Sequence, residues 1–294
     1  MTLVLRAALA AAVFFTPCAN AAETVITDDR GVTLKLAVPA VRIVALAPSI
    51  TELVYAAGAG ARLAAVPRYS DYPAEAAALP QIGDASSIDA ERLLSLKPDL
   101  VIGWKSGNRA ADIARIERLG FRVFVIEPAA LADVPRVLRA IGMLAGTAAK
   151  ADVAARAFET GLETLRARHA GARKVRVFYE IWHQPLMTVN RNHMISDVIR
   201  LCGGDNIFSE LPVLTPVVSL EDVMARRPQV VLGGGSSVSA DELAASWRRH
   251  GDLAGLRDLP ALRVDPDAIQ RQTPRVLQGA QAVCAHLDFV RSNR

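Results

Sequence analysis

The sequence predicts an α/β protein: two Rossmann-like α/β lobes joined by a single long backbone helix. Three observations point to it. Residues 147–170, TAAKADVAARAFETGLETLRARHA, read as one uninterrupted helix. Residues 91–104, ERLLSLKPDLVIGW, and residues 221–234, EDVMARRPQVVLGG, form a near-repeat, one copy on each side of that helix. The chain before and after it alternates short apolar runs with amphipathic ones, as parallel-sheet domains do.

In the long helix, Ala151, Ala154, Phe158, Leu162 and Leu165 recur at helical spacing and make one apolar stripe. Arg156, Glu159, Glu163 and Arg166 fall elsewhere. Thr147 offers an N-cap oxygen, and Gly171 stands where a left-handed residue ends helices. At ~1.5 Å per residue the helix would be about 36 Å long, roughly the width of a small domain. Each near-repeat opens with an acid (Glu91, Glu221) and continues as a short amphipathic helix. Each breaks at a basic-Pro pair (Lys97-Pro98, Arg227-Pro228), because proline lacks an amide and restricts its predecessor. The strands that follow are apolar without alternation, which suits a sheet covered on both faces.

The elements follow in order. Residues 25–36 read as a hairpin turning at Asp28-Asp29-Arg30-Gly31. Residues 41–46 are a buried strand; Pro48 follows, then Ser49-Ile50-Thr51-Glu52, a capping box opening a helix that ends at Gly58. Residues 63–66 form the next strand, and Asp89 caps the first near-repeat helix. Helix, strand and helix follow over 108–119, 121–126 and 133–144, the last with Pro135 in its first turn. Beyond the long helix, strands are expected over 174–181, 230–232 and 262–264, and helices over 194–201, 220–225, 240–250 and 273–287. The expected division is residues 1–21 as signal peptide, 22–146 as first lobe, 147–171 as linking helix and 172–294 as second lobe.

Residues 1–21 have a basic start at Arg6, an apolar core too short to span a bilayer, and an Ala19-Asn20-Ala21 cleavage site. Cleavage after Ala21 would start the mature chain at Ala22 and take it out of the cytoplasm. Phe15-Thr16-Pro17 matches poorly the residues expected before a lipidated Cys18. Removing the leader takes away Arg6 and no acid, lowering the formal charge from +4 to +3. The basic residues are scattered, so no nucleic-acid surface is expected. Cys202 and Cys284 remain, and in an oxidising compartment they are expected to pair.

Ligands of open α/β sheets sit beyond the carboxyl ends of the strands. That rule selects Pro48-Ser49, Tyr69 and Trp104 from the first half. From the second it selects residues 182–187, with Trp182, His183 and Met187, the loop after Gly233, and residues 265–271. Aromatic and long apolar groups suit a large, partly flat ligand held by a few polar anchors. There is no G-x-S-x-G elbow, and Gly233-Gly234-Gly235-Ser236 lacks the lysine of a phosphate loop. His169, His183, His193, His250 and His286 show no metal-ligand spacing. No catalytic residue, resident metal or cofactor is expected.

Arg68-Tyr69-Ser70-Asp71-Tyr72-Pro73, residues 91–104 with Gly107-Asn108, Cys202-Gly203-Gly204-Asp205-Asn206-Ile207-Phe208, Pro228-Gln229 and Thr273-Pro274-Arg275 together carry a resemblance over nearly the whole mature chain. The pattern resembles the periplasmic cobalamin-binding proteins of ABC importers, within the helical-backbone class of substrate-binding proteins. That class also includes haem and siderophore binders. The resemblance implies a monomeric receptor that carries a corrinoid as transported ligand to an ABC transporter permease dimer. It implies corrin contact at Tyr69, an aromatic near the cleft at Trp104, a ligand-touching loop at Asp265, Pro266, Asp267, Ala268 and Ile269, and the Cys202–Cys284 disulfide. Glu91 and Glu221 would dock onto permease arginines. Ser49, Trp182, His183, Met187, Thr215 and Arg271 complete the expected ligand site.

Met187 stands where the family pattern has a Phe, and Thr215 and Ala268 each replace a Trp. A less aromatic cleft leaves room for cobinamide or haem, for which Tyr69 and His183 are possible axial ligands by position. A ferric-siderophore receptor of the same fold is a further alternative. A secreted hydrolase using Asp267 and His183 is opposed by the missing nucleophile motif. The stiff linking helix predicts little lobe closure.

Overall fold

The computed structural model describes residues 23–84, 87–233, 239–249 and 259–293. The leader with Cys18 and its cleavage site, Gly234-Gly235-Ser236 and His250 lie outside the described residues. The first lobe opens with strands β1 (Thr24–Thr27) and β2 (Thr33–Leu36), an antiparallel hairpin. Asp28 ties its turn to the lobe, accepting from the amides of Arg30 and Val32 and from that of Val125. Then come β3 (Ile43–Ala45), α1 (Pro48–Ala56), β4 (Leu63–Ala65), the two-residue strands β5 (Gly83–Asp84) and β6 (Ser87–Ile88), and α2 (Ala90–Leu96). β7 (Leu100–Trp104), α3 (Ala110–Arg118), β8 (Val123–Ile126) and α4 (Asp133–Ala145) complete it. The long helix is α5 (Ala148–Arg168).

The second lobe runs β9 (Val175–Glu180), α6 (Met194–Leu201), β10 (Gly204–Asn206), α7 (Leu220–Ala225), β11 (Val230–Gly233) and α8 (Ala240–Arg248). It ends with β12 (Ala261–Arg263), α9 (Pro266–Ile269) and α10 (Val276–Ser292).

Both sheets are parallel, in the orders β4-β3-β7-β8 and β10-β9-β11-β12. In each, the second strand of the set lies outside the first, and the third and fourth follow on the other side. The near-repeat strands β7 and β11 therefore hold the same place. The equivalence extends to atoms. Lys97 and Arg227, each just before a proline, both turn left-handed at φ +46°. Asp99 then accepts from the Arg42 amide at 3.0 Å while its own amide donates to the Arg42 carbonyl. Gln229 does the same to Arg176, accepting at 2.8 Å. The residue after each proline thus pins the start of the neighbouring strand. Asp89 and Ser219 cap α2 and α7 alike, each accepting from the amide three residues on.

Helix α5 buries Ala151, Ala155, Phe158, Leu162 and Leu165 in a core that draws on both lobes. Ala155 joins the stripe as a fully buried residue, and the expected Ala154 is partly buried against the same core. Gly142 of α4 allows close approach: a Cβ there would lie 2.3 Å from that of Ala151. Arg139 reaches from α4 to Asp152 and Glu159 of α5.

Two caps differ from expectation. Thr147 does not cap α5; its hydroxyl donates to the Ala57 carbonyl at 2.7 Å, tying the helix start to the end of α1. Ser49 to Glu52 is not a capping box. Pro48 occupies the first turn, where its missing amide costs nothing, so Ala47 is the N-cap and Ser49 lies inside the helix. That frees the Glu52 carboxylate for the other lobe. The last helix starts at Val276, later than residue 273, because Thr273 and Arg275 also turn to Glu52. Cys202 and Cys284 form a disulfide joining the end of α6 to α10. No helix among the described residues is long and apolar enough to cross a membrane.

Candidate functional site

The carboxyl ends of both sheets open on a cleft of about 530 Å³. The first lobe contributes Trp104 at the end of β7, Lys105, Ser106, and Glu127-Pro128-Ala129 beyond β8. The second contributes Ile181 beyond β9, Asn192, His193 and Met194 at the start of α6, Leu214, Thr215, Gln270 and Gln272. The wall at Trp104 is built locally. Asn108 accepts from the Trp104 amide at 2.8 Å and donates to the Leu46 carbonyl at 3.0 Å, locking the turn after β7. The indole lies on Gly107, where a Cβ would come within 1.8 Å of the ring. The indole N–H is buried and has no partner among the described residues.

The charged groups of the cleft are already engaged. Lys105 donates to the Asp29 carbonyl at 3.0 Å. Glu127 accepts from the amide and hydroxyl of Ser106 at 2.8 and 2.9 Å. His193 is the N-cap of α6, its Nδ1 accepting from the Ile195 amide at 3.2 Å. Burial lowers its pKa from the usual 6.5 to about 4.

Beside the cleft the lobes meet through Glu52, whose side chain is 2 % exposed. It accepts from Arg271 at 2.9 Å, from Arg275 at 3.1 Å and from the Thr273 hydroxyl at 2.9 Å. Arg271 also bridges Asp71 of the first lobe and Asp267 of the second, each at 2.8 Å, and donates to the Tyr69 carbonyl at 3.4 Å. Burial raises the pKa of Asp71, but the Arg271 hydrogen bond and charge outweigh it and hold the group below the usual carboxylate range. Arg275 stacks on the Tyr72 ring, 4.2 Å from its centroid.

The residues singled out from the sequence divide by this geometry. Trp104 and Thr215 line the cleft. Tyr69, with φ +67° and 74 % exposed, Asp267 and Arg271 gather around the cross-lobe ion cluster. Trp182 is 57 % exposed, its indole donating to the Gln184 carbonyl, and it pairs with Met187 across an isolated bridge that continues to Val217. His183 Nδ1 lies 3.0 Å from Glu180, whose other oxygen accepts from Trp247. Asp265 caps α9 by accepting from the Asp267 amide at 3.0 Å. Ser49, Pro266, Ala268 and Ile269 are buried. Glu91 and Glu221 are both exposed, each second in its helix, one per lobe. Among the described residues no group of three or more His, Cys, Asp or Glu is placed to hold a metal ion.

Sequence reasoning missed Ile181, Asn192, His193 and Gln272 in the cleft, and the roles of Glu52, Asp71, Thr273 and Arg275 between the lobes; Gln270 lies within the selected segment 265–271. A signal existed for His193, which immediately precedes a correctly placed helix.

Comparison with known proteins covers this same architecture. A family model described as periplasmic binding protein matches residues 43–263. The vitamin B12-binding protein of Vibrio parahaemolyticus is 34 % identical over 256 residues, 87 % of this chain and 92 % of that one. The crystal structure of the periplasmic vitamin B12 binding protein BtuF of Vibrio cholerae superimposes with a TM-score of 0.78 at 33 % identity, covering 86 % of this chain and 98 % of that one. The periplasmic heme binding protein HutB of Vibrio cholerae shares the fold, with a TM-score of 0.72 at 22 % identity over 84 % and 98 % of the two chains.

Proposed function

The chain belongs to the periplasmic binding protein family, and from that premise we propose that it is a non-enzymatic periplasmic receptor for cobalamin or a related corrinoid. It holds the ligand between the lobes and delivers it to an ABC transporter permease. The observation that carries this reading is the cleft walled by Trp104 on one lobe and Ile181 and Thr215 on the other, in a chain a third identical to vitamin B12-binding proteins along most of its length. The indole supplies a flat apolar face, and Tyr69, Trp182, Met187 and Asp267 extend the contact beyond it. Glu91 and Glu221, matched in position on the two lobes, are the acids that meet the permease dimer.

Haem is the second reading, and one observation favours it. His183 Nδ1 lies 3.0 Å from the Glu180 carboxylate, the kind of contact that orients metal-ligating histidines to present Nε2. Calorimetric titration of the mature protein with cyanocobalamin, cobinamide and haemin separates the two. Heat of binding with the corrinoids is expected. Absence of heat with both, alongside tight haemin binding, overturns the corrinoid reading.

A further inference from the structure

His193 lines the cleft and also closes the start of α6. The two duties are linked through the tautomer. Nδ1 accepts a backbone amide, so it carries no proton, and in the neutral ring the proton sits on Nε2. Nε2 makes no hydrogen bond to the described residues, and His193 lines the cleft. Trp104, on the opposite wall, has an unpaired indole N–H as well. The charged side chains of the lining, Lys105 and Glu127, are one of each sign, and Arg271 beside it is paired with three carboxylates, so no net positive charge awaits a ligand's negative one. A carboxylate entering here would lose its water without gaining a net counter-charge, whereas a carbonyl oxygen would lose little and gain a donor.

We propose that His193 is a specificity-determining residue whose Nε2–H donates to an uncharged carbonyl oxygen on the rim of the ligand, so that the cleft selects carboxamide-edged tetrapyrroles over carboxylate-edged ones. The inference rests on the corrinoid reading for its ligand, though not for its chemistry. The ring is uncharged at neutral pH, so it offers a donor without attracting an anion.

The test compares cyanocobalamin with the monocarboxylic acids made by hydrolysing single side-chain amides. Wild type is expected to prefer the amide about tenfold. His193→Asn keeps an acceptor for the α6 cap and removes the ring N–H. It is expected to weaken cyanocobalamin roughly three- to tenfold and the acids less, narrowing the preference. His193→Ser, a second capping residue, should behave alike, and thermal melts of both variants confirm folding. A generally damaged site would weaken amide and acids equally and would overturn the proposal. So would wild type binding the acids as tightly as the amide. If wild type binds haemin and no corrinoid, the proposed function falls, and the donor is read on haemin against its dimethyl ester. Preference for the ester supports it; preference for the diacid overturns it.

Discussion

A histidine that accepts an amide bond at a helix start cannot be protonated without breaking that bond and placing a cation against the positive end of the helix dipole. His193 is in that position, with its pKa lowered from 6.5 to about 4 by burial. The unfolded chain therefore takes up the proton first as pH falls. The stabilisation is present above about pH 6.5 and is lost as pH drops through 4, at ~1.4 kcal/mol per unit and up to about 3 kcal/mol in all. Urea denaturation at pH 7 and pH 4.5 checks this: His193→Asn should lose less stability than wild type between the two. Strand ends follow from apolar runs, and the rule that ligands sit just beyond them selected Trp104, which lines the cleft. Thr215, also in the lining, came from the family resemblance instead. Asn192 and Gln272 were not found, because an amide in a loop has no sequence pattern that separates a lining group from a solvated one. Ala268 and Ile269 belong to the expected ligand loop, yet the four-residue helix α9 turns both into the core.

Among elements, those with a full period of pattern were readable. The long helix α5, the Asp89 cap of α2 and the paired helix–proline–strand units stand where expected, and Ser219 adds a matching cap on α7. The exceptions are short or externally determined. β10 has three residues and α9 four, too few to show a period. The Thr147 hydroxyl was drawn away by a carbonyl 90 residues distant. Elements α6 and α10 are joined covalently by Cys202–Cys284 across a sequence separation of 82. Closing a loop of that size restricts the unfolded chain by about 4 kcal/mol in the entropic model. The double variant Cys202→Ala/Cys284→Ala is expected to lose about 2–5 kcal/mol, read from its urea midpoint. Wild type in reductant should move toward the same midpoint.

At the scale of the whole molecule, the spacing of the lobes is set by more than α5. The Leu131 amide of the first lobe donates to Asp197 of the second at 2.9 Å. Glu52 of α1 holds Arg271 and Arg275 from across the boundary, and no local pattern could announce a partner 219 residues away. What decides the value of this cluster is burial. Glu52 is 2 % exposed and Arg271 13 %, whereas Asp267, also paired to Arg271, is 44 % exposed. Removing a buried partner strands the remaining charges without water, at a cost of about 3–5 kcal/mol, while an exposed pair contributes about 0–1 kcal/mol. Glu52→Ala is therefore expected to destabilise the protein by about 3–5 kcal/mol, and Asp267→Asn by no more than about 1 kcal/mol, although each breaks an ion pair to the same guanidinium. Urea denaturation of the two variants side by side checks the contrast. Equal losses would mean that the lobes are joined by surface-like pairs and that α5 alone fixes the width of the cleft.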